Sequence, residues 1–155
     1  MLKLPKLTDY AVVILARMAQ QPERLHSAAG LADGTGLTVP TVAKILKQLA
    51  RSQLLTTQRG TRGGYRLERS AAAVTIADIV IALDGPVSLT ACVDTSHQKC
   101  GVASRCAMHG QWNAINRAIL DVLAGVTLQD MATPRVVTMI GHPAAPTVTR
   151  QLAGA

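Results

Sequence analysis

Val42, Ile45, Leu46 and Leu49 fall on one face of a helix over residues 39–51, whose start is fixed by Thr38 as cap and by Pro40 in the first turn, where the missing N–H costs nothing. A shorter helix precedes it, capped by Ser27 and running through Leu31 and Ala32 to a tight turn at Gly34 to Gly36. Ala32 and Gly36 have the small-residue spacing of a helix-turn-helix: close helix approach needs Ala, and the turn needs the positive φ that Gly allows. Two β-leaning runs follow, residues 54–58 and 64–67, joined by Arg59-Gly60-Thr61-Arg62-Gly63. That is a hairpin with a glycine-rich, arginine-bearing tip. The order predicts a mainly α fold with a small β-wing, a winged helix-turn-helix.

The flanking pattern completes this frame. Thr8 is the expected cap of a first helix, with Asp9 in its first turn, Tyr10, Val13, Ile14, Arg17 and Met18 along it, and an end near Pro22. Thr75 caps a fourth helix carrying Ile76, Ile79, Val80 and Leu83, which stops at Gly85-Pro86. Residues 87–105 lack periodicity and read as a loop. Beyond them Met108, Trp112, Ile115, Ile119, Val122 and Val126 alternate steps of four and three, the seam of a coiled coil. Such a stripe needs a partner, either a two-fold related helix from a second subunit or the chain's own first helix. After Met131 the tail holds Pro134, Pro143 and Pro146 with no acidic residue, and is expected to be disordered. The expected divisions are a DNA-binding domain over 1–85, a cysteine loop over 86–105, a long C-terminal dimerisation helix region over 106–132 and a tail over 133–155.

Charge distribution suggests the partner. The 155-residue chain carries a formal net charge of +7 and a pI near 9.9, which favours a polyanion. Between Leu37 and Leu67 stand Lys44, Lys47, Arg51, Arg59, Arg62 and Arg66, with no Asp or Glu. The reading is a helix in a DNA major groove, with Thr38, Thr41, Lys44, Lys47 and Arg51 near bases or phosphates, and a wing whose Arg59 and Arg62 reach the backbone or minor groove. Ala43 offers at most a methyl contact, so DNA shape is expected to share in the readout. Aromatic residues are 2% of the chain and Phe is absent, which argues against stacking platforms for single strands and makes the core aliphatic. A membrane-surface role fits poorly, because the cations sit on two elements without an apolar flank. No stretch approaches the roughly 18 apolar residues of a membrane span. The N-terminus lacks the h-region of an export signal, so a cytoplasmic, reducing compartment is expected.

Three cysteines are confined to fifteen consecutive residues, spaced Cys92-x7-Cys100-x5-Cys106, with His109 three residues further on. Their odd number argues against a disulfide framework and for ligation. The tight Cys-x2-4-Cys knuckle of structural zinc sites is missing, whereas loosely spaced cysteines on a loop can wrap an iron–sulfur cluster. Nothing resembles a catalytic elbow or substrate pocket, so an enzyme is not expected.

At this point the chain resembles the IscR and NsrR type of winged-helix iron–sulfur transcriptional regulators, from Met1 to about Met131. The resemblance rests on Leu7-Thr8-Asp9-Tyr10-Ala11, on the wing Arg59-Gly60-Thr61-Arg62-Gly63-Gly64-Tyr65-Arg66-Leu67, on Ile76-Ala77-Asp78-Ile79 and on the cysteine loop. The opening Met1-Leu2-Lys3-Leu4 is most similar to the subgroup that regulates the SUF iron–sulfur assembly operon. The resemblance implies a homodimer bound to a palindromic double-stranded operator, with helices from about residue 106 to 124 crossing beside a 2Fe-2S or 4Fe-4S cluster held by Cys92, Cys100 and Cys106. It implies two options for the fourth ligand. His109 matches the branch with three cysteines, a histidine and a 2Fe-2S cluster; Asp9 matches the branch in which a carboxylate from the partner subunit completes a 4Fe-4S site. His97 is a third candidate, while His26 and His142 read as surface residues. The expected function is regulation in response to cluster status, oxidants or nitric oxide. The alternative is an iron–sulfur or zinc carrier or scaffold, which would leave the basic face unexplained.

Overall fold

The computed structural model describes residues 3–60, 63–93, 96 and 100–133. Along them run α1 (Lys6–Ala19), α2 (Ala28–Thr35), α3 (Val39–Arg51), the hairpin β1 (Leu55–Gln58) and β2 (Gly64–Leu67), α4 (Ile76–Asp84), α5 (Asn113–Gly125) and α6 (Leu128–Ala132). The expected winged architecture, mainly helical with a two-stranded antiparallel sheet, is what forms. The four apolar residues assigned to the inner face of α3 are all at 0% exposure. They meet Ile14, Leu15 and Met18 of α1, Leu31 of α2 and Ile79 of α4 in one aliphatic core.

Local signals account for most element ends. The Ser27 hydroxyl accepts from the Gly30 N–H at 3.1 Å, and Gly36 closes α2 in the left-handed conformation at φ 71°. Thr75 and Asp78 form a reciprocal capping box at the start of α4. Thr38 occupies the cap position of α3, but its hydroxyl pairs with that of Thr41 at 2.8 Å instead of with a backbone N–H.

Helix α1 departs from expectation. It begins at Lys6, directly after Pro5, so Thr8 lies inside the helix and is fully buried. A buried hydroxyl needs a partner, and Thr8 finds it in another element by donating to the carboxylate of Asp84 at the end of α4. Asp9 keeps its first-turn place and is exposed.

In the wing, Leu55 pairs with Leu67, Thr57 with Tyr65 and Gln58 with Gly64. His26 forms an isolated bridge to β2 through reciprocal backbone bonds with Tyr65 at 2.8 and 2.9 Å, so it is half-buried and structural rather than a free surface histidine. A Cβ at Gly64 would stand 2.7 Å from the His26 carbonyl oxygen, which explains glycine at that position.

Helix α5 is shorter than the resemblance implied. It starts at Asn113, not near Cys106, because Gly110 sits at φ 77° and a left-handed residue interrupts an α-helix. Met108 and Trp112 therefore precede the helix, and of the expected seam it carries Ile115, Ile119 and Val122. Within the chain the main packing partner of α5 is α4. Ile115 and Val122 remain 49% and 68% exposed. The chain then returns to the head: the Ile76 N–H donates to the Val126 carbonyl at 2.9 Å, the Leu128 N–H donates to the Val74 carbonyl at 2.8 Å, and Leu128 is fully buried. No helix among the described residues is long and apolar enough to cross a membrane. The tail from 134 onward, Arg62 and the candidate ligand His97 lie outside the described residues.

Because Leu46 belongs to the fully buried set on α3, Leu46→Ala should destabilise the fold by about 2–5 kcal/mol in urea titration. Ala at the exposed Lys47 is expected to change stability by less than about 0.5 kcal/mol.

Candidate nucleic-acid interface and thiol loop

Burying Val42, Ile45, Leu46 and Leu49 turns the remaining positions of α3 outward. Thr38, Lys44, Lys47 and Arg51 are exposed and Thr41 is half-exposed at the helix start. The wing projects beyond the same head, with Arg59 exposed after β1 and Arg66 exposed on β2. At the tip Gly60 adopts φ 123°, and a Cβ at Gly63 would lie 2.3 Å from the Gln58 carbonyl oxygen, so the turn depends on both glycines. Among the described residues, the ion pair formed is Arg69 with Asp78 at 3.3 Å. The cations of α3 and the wing have no acidic partner there, so their field faces solvent without local neutralisation.

The thiol loop leaves α4 at Gly85 and folds back over the start of α5. Asn116 of α5, only 4% exposed, donates from its side-chain amide to the Val87 carbonyl at 2.9 Å and accepts from the Leu89 N–H at 3.0 Å. Just beyond Leu89 on the loop, the Thr90 hydroxyl and Cys92 Sγ are 3.2 Å apart, and the Gly110 backbone N–H also points to that sulfur. These two donors, Thr90 first, hold the Cys92 thiol below its ordinary pKa. Cys106 lies in the turns before α5, and the His109 N–H donates to the Cys106 carbonyl at 3.1 Å. A turn, not a helix face, therefore brings His109 near Cys106.

Cys92, Cys100 and Cys106 are free thiols, each half-exposed. Donors aimed at a sulfur favour its thiolate, the form that ligates iron, so the chemistry of this donor set fits an iron–sulfur cluster. Among the described residues no three His, Cys, Asp or Glu side chains are drawn into one metal-binding group, and Asp9 stands on α1 apart from the thiols. Asn116 and Thr90 were not singled out by sequence reasoning. Their available signals were an asparagine interrupting the apolar pattern of α5 and a hydroxyl two residues before a cysteine.

A buried-faced basic helix after a tight turn, flanked by a glycine-tipped wing, defines a winged helix-turn-helix regulator rather than an enzyme. The chain belongs to the Rrf2 family: the family's sequence pattern, described as an iron-dependent transcriptional regulator, matches residues 4–134. Rrf2 regulators bind DNA and are commonly dimeric. The chain is 30% identical over 142 residues to protein aau3 of Rhizobium meliloti (strain 1021), covering 90% of this chain and 92% of that protein. Among solved structures it is similar to CymR (YrzC), the global cysteine regulator of B. subtilis, with TM-score 0.66, 28% identity, and 85% and 97% of the two chains covered. It is also similar to T. potens IscR, with TM-score 0.61, 26% identity, and 84% and 85% covered.

The Cys92 environment makes a measurable difference. Since a lowered pKa keeps the thiolate populated to lower pH, alkylation of Cys92 in the metal-free protein should persist as pH falls. Thr90→Val removes the largest cause, and the midpoint of the rate-against-pH curve, followed by peptide mass spectrometry, should move upward.

Proposed function

We propose that this Rrf2 protein is a cytoplasmic homodimer that binds a palindromic operator and adjusts its DNA affinity to iron–sulfur status, oxidants or nitric oxide, controlling iron–sulfur assembly genes. One observation carries it: a basic face on α3 and the wing, without acidic partners among the described residues, shares a short chain with a thiol loop hydrogen-bonded to α5. Residues 1–85 would read DNA, 86–105 would sense, 106–132 would dimerise, and 133–155 would form a disordered tail.

In this reading α3 enters the major groove. Thr38 and Thr41, whose hydroxyls already share a hydrogen bond, meet a phosphate or base edge at the helix start, while Lys44, Lys47 and Arg51 line the backbone. Arg59 and Arg62 extend the contact along the wing. Ile115 and Val122, with Trp112 beside them, present an apolar strip for the partner's α5, and a two-fold axis there would set the spacing of the heads. Cys92, Cys100 and Cys106 would hold the cluster, which when bound supplies iron reactive toward oxidants and nitric oxide. The fourth position would fall to His109 or to the partner subunit's Asp9. His109 is favoured by its turn bond to the Cys106 carbonyl.

A second reading follows from the acidified Cys92 thiol and the similarity to CymR: the thiols themselves would be the sensor, with no cluster. Anaerobic purification separates the two. The cluster reading expects visible charge-transfer absorbance with stoichiometric iron and sulfide, whereas a colourless protein whose DNA affinity changes on thiol oxidation supports the other. Mössbauer spectra of the loaded protein should change in His109→Ala and stay as wild type in Asp9→Ala; the reverse would assign the partner subunit's Asp9.

The DNA face is tested by salt. Each phosphate contact contributes about −0.9 to the slope of log K against log salt, so Lys44→Ala and Arg59→Ala should each reduce its magnitude by roughly one per head while leaving any chromophore intact.

A further inference from the structure

Helix α5 buries a single residue nine-tenths or more among those described, and that residue is polar. Asn116 is 4% exposed, and toward the loop its side chain hydrogen-bonds the carbonyl of Val87 at 2.9 Å and the N–H of Leu89 at 3.0 Å. The carboxamide thus takes the place of a backbone strand partner, satisfying an acceptor and a donor two residues apart on the loop stem. Those two groups are 29 and 27 residues away in sequence, so the contact is tertiary and not a local turn.

Direction distinguishes this attachment from packing. Apolar contacts tolerate sliding, whereas a paired donor and acceptor favour one register and lose hydrogen bonds if it shifts. Three residues after Leu89, Cys92 sits beside the Gly110 N–H, just upstream of α5. The thiol loop therefore touches the α5 segment at Asn116 and at Gly110, and the first of these contacts is buried.

We propose that Asn116 is the positioning residue that registers the thiol loop to α5, so that a change at the cysteines is carried into α5 through the Val87–Leu89 stem. This deepens the sensing role given to the loop above and rests on that reading for its biological meaning, but not for its test. An asparagine serving only to hold the fold would stabilise the chain without making α5 respond to the thiols.

The experiment uses the metal-free, reduced full chain and residue-level hydrogen exchange, before and after capping the thiols with iodoacetamide. In wild type the Leu89 amide should be protected, and in Asn116→Leu it should exchange roughly tenfold faster, as expected for a lost buried hydrogen bond. Capping should alter exchange along residues 113–125 in wild type and leave it unaltered in Asn116→Leu. Should Asn116→Leu lose its helical circular dichroism, Asn116→Ala carries the same comparison, because it likewise removes both the acceptor for Leu89 and the donor to Val87. Equal Leu89 protection in wild type and a folded variant would overturn the proposal. So would an α5 response to capping that is absent in wild type or undiminished in the variant. A protein that binds no cluster would leave all these readouts in place, so that failure is separable from this one.

Discussion

The buried face of α3 is the contact on which the rest of the head depends. With Val42, Ile45, Leu46 and Leu49 all at 0% exposure, the rotation of α3 about its axis is fixed by packing, and the direction of every outward cation follows. No ion pair among the described residues sets that direction. The Arg69–Asp78 pair has side chains 46% and 35% exposed, and such a pair contributes little, about 0–1 kcal/mol. Aliphatic packing thus holds the charged face open: it orients Lys44, Lys47 and Arg51 without spending them on internal partners.

The same core sets the limits of the thiol loop and α5. Its members run from Ala11 to Leu128, so the chain leaves the head after α4 and must come back. The return is fastened by the Ile76–Val126 and Val74–Leu128 backbone bonds, and the departure by Thr8 holding Asp84. Loop and α5 are an excursion anchored at both ends. In the reading proposed above, a change within it would be carried to α5 where it packs on α4, not lost in a swinging tail.

Much of this was legible because it is local. The period of the apolar residues and the position of Pro40 define α3 over the residues where it forms, and the Thr75 and Ser27 caps act as their residue types suggest. The wing was readable from its glycines, one of which faces the His26 backbone. What was not legible lies in long-range partnerships and in backbone conformation. Thr8 looks like a cap until its partner, 76 residues away, is known. The seam from Met108 to Val126 has helical spacing throughout, yet the positive φ of Gly110 ends the helix at Asn113, because apolar spacing carries no information about backbone handedness. The clustered cysteines drew attention in the sequence, but the donors that tune Cys92 come from Thr90 and from a backbone amide, and backbone amides leave no mark in a sequence.

Helix α5 ties these strands together by having two different faces. One carries Asn116 against the loop stem; another carries Ile115 and Val122 in the open. At 13 residues it is near the length at which isolated helices are marginal in water, so its order depends on what each face finds. If the open face is covered by a partner's α5, as proposed, and the other is gripped by the loop, each contact stabilises the conformation that the other requires. Two contacts that order one element are thermodynamically linked and reciprocal: loop state must influence dimerisation, and dimerisation must influence the loop to the same extent. On that proposal, operator binding that selects one spacing of two heads would feed back on the chemistry of Cys92 through the same helix.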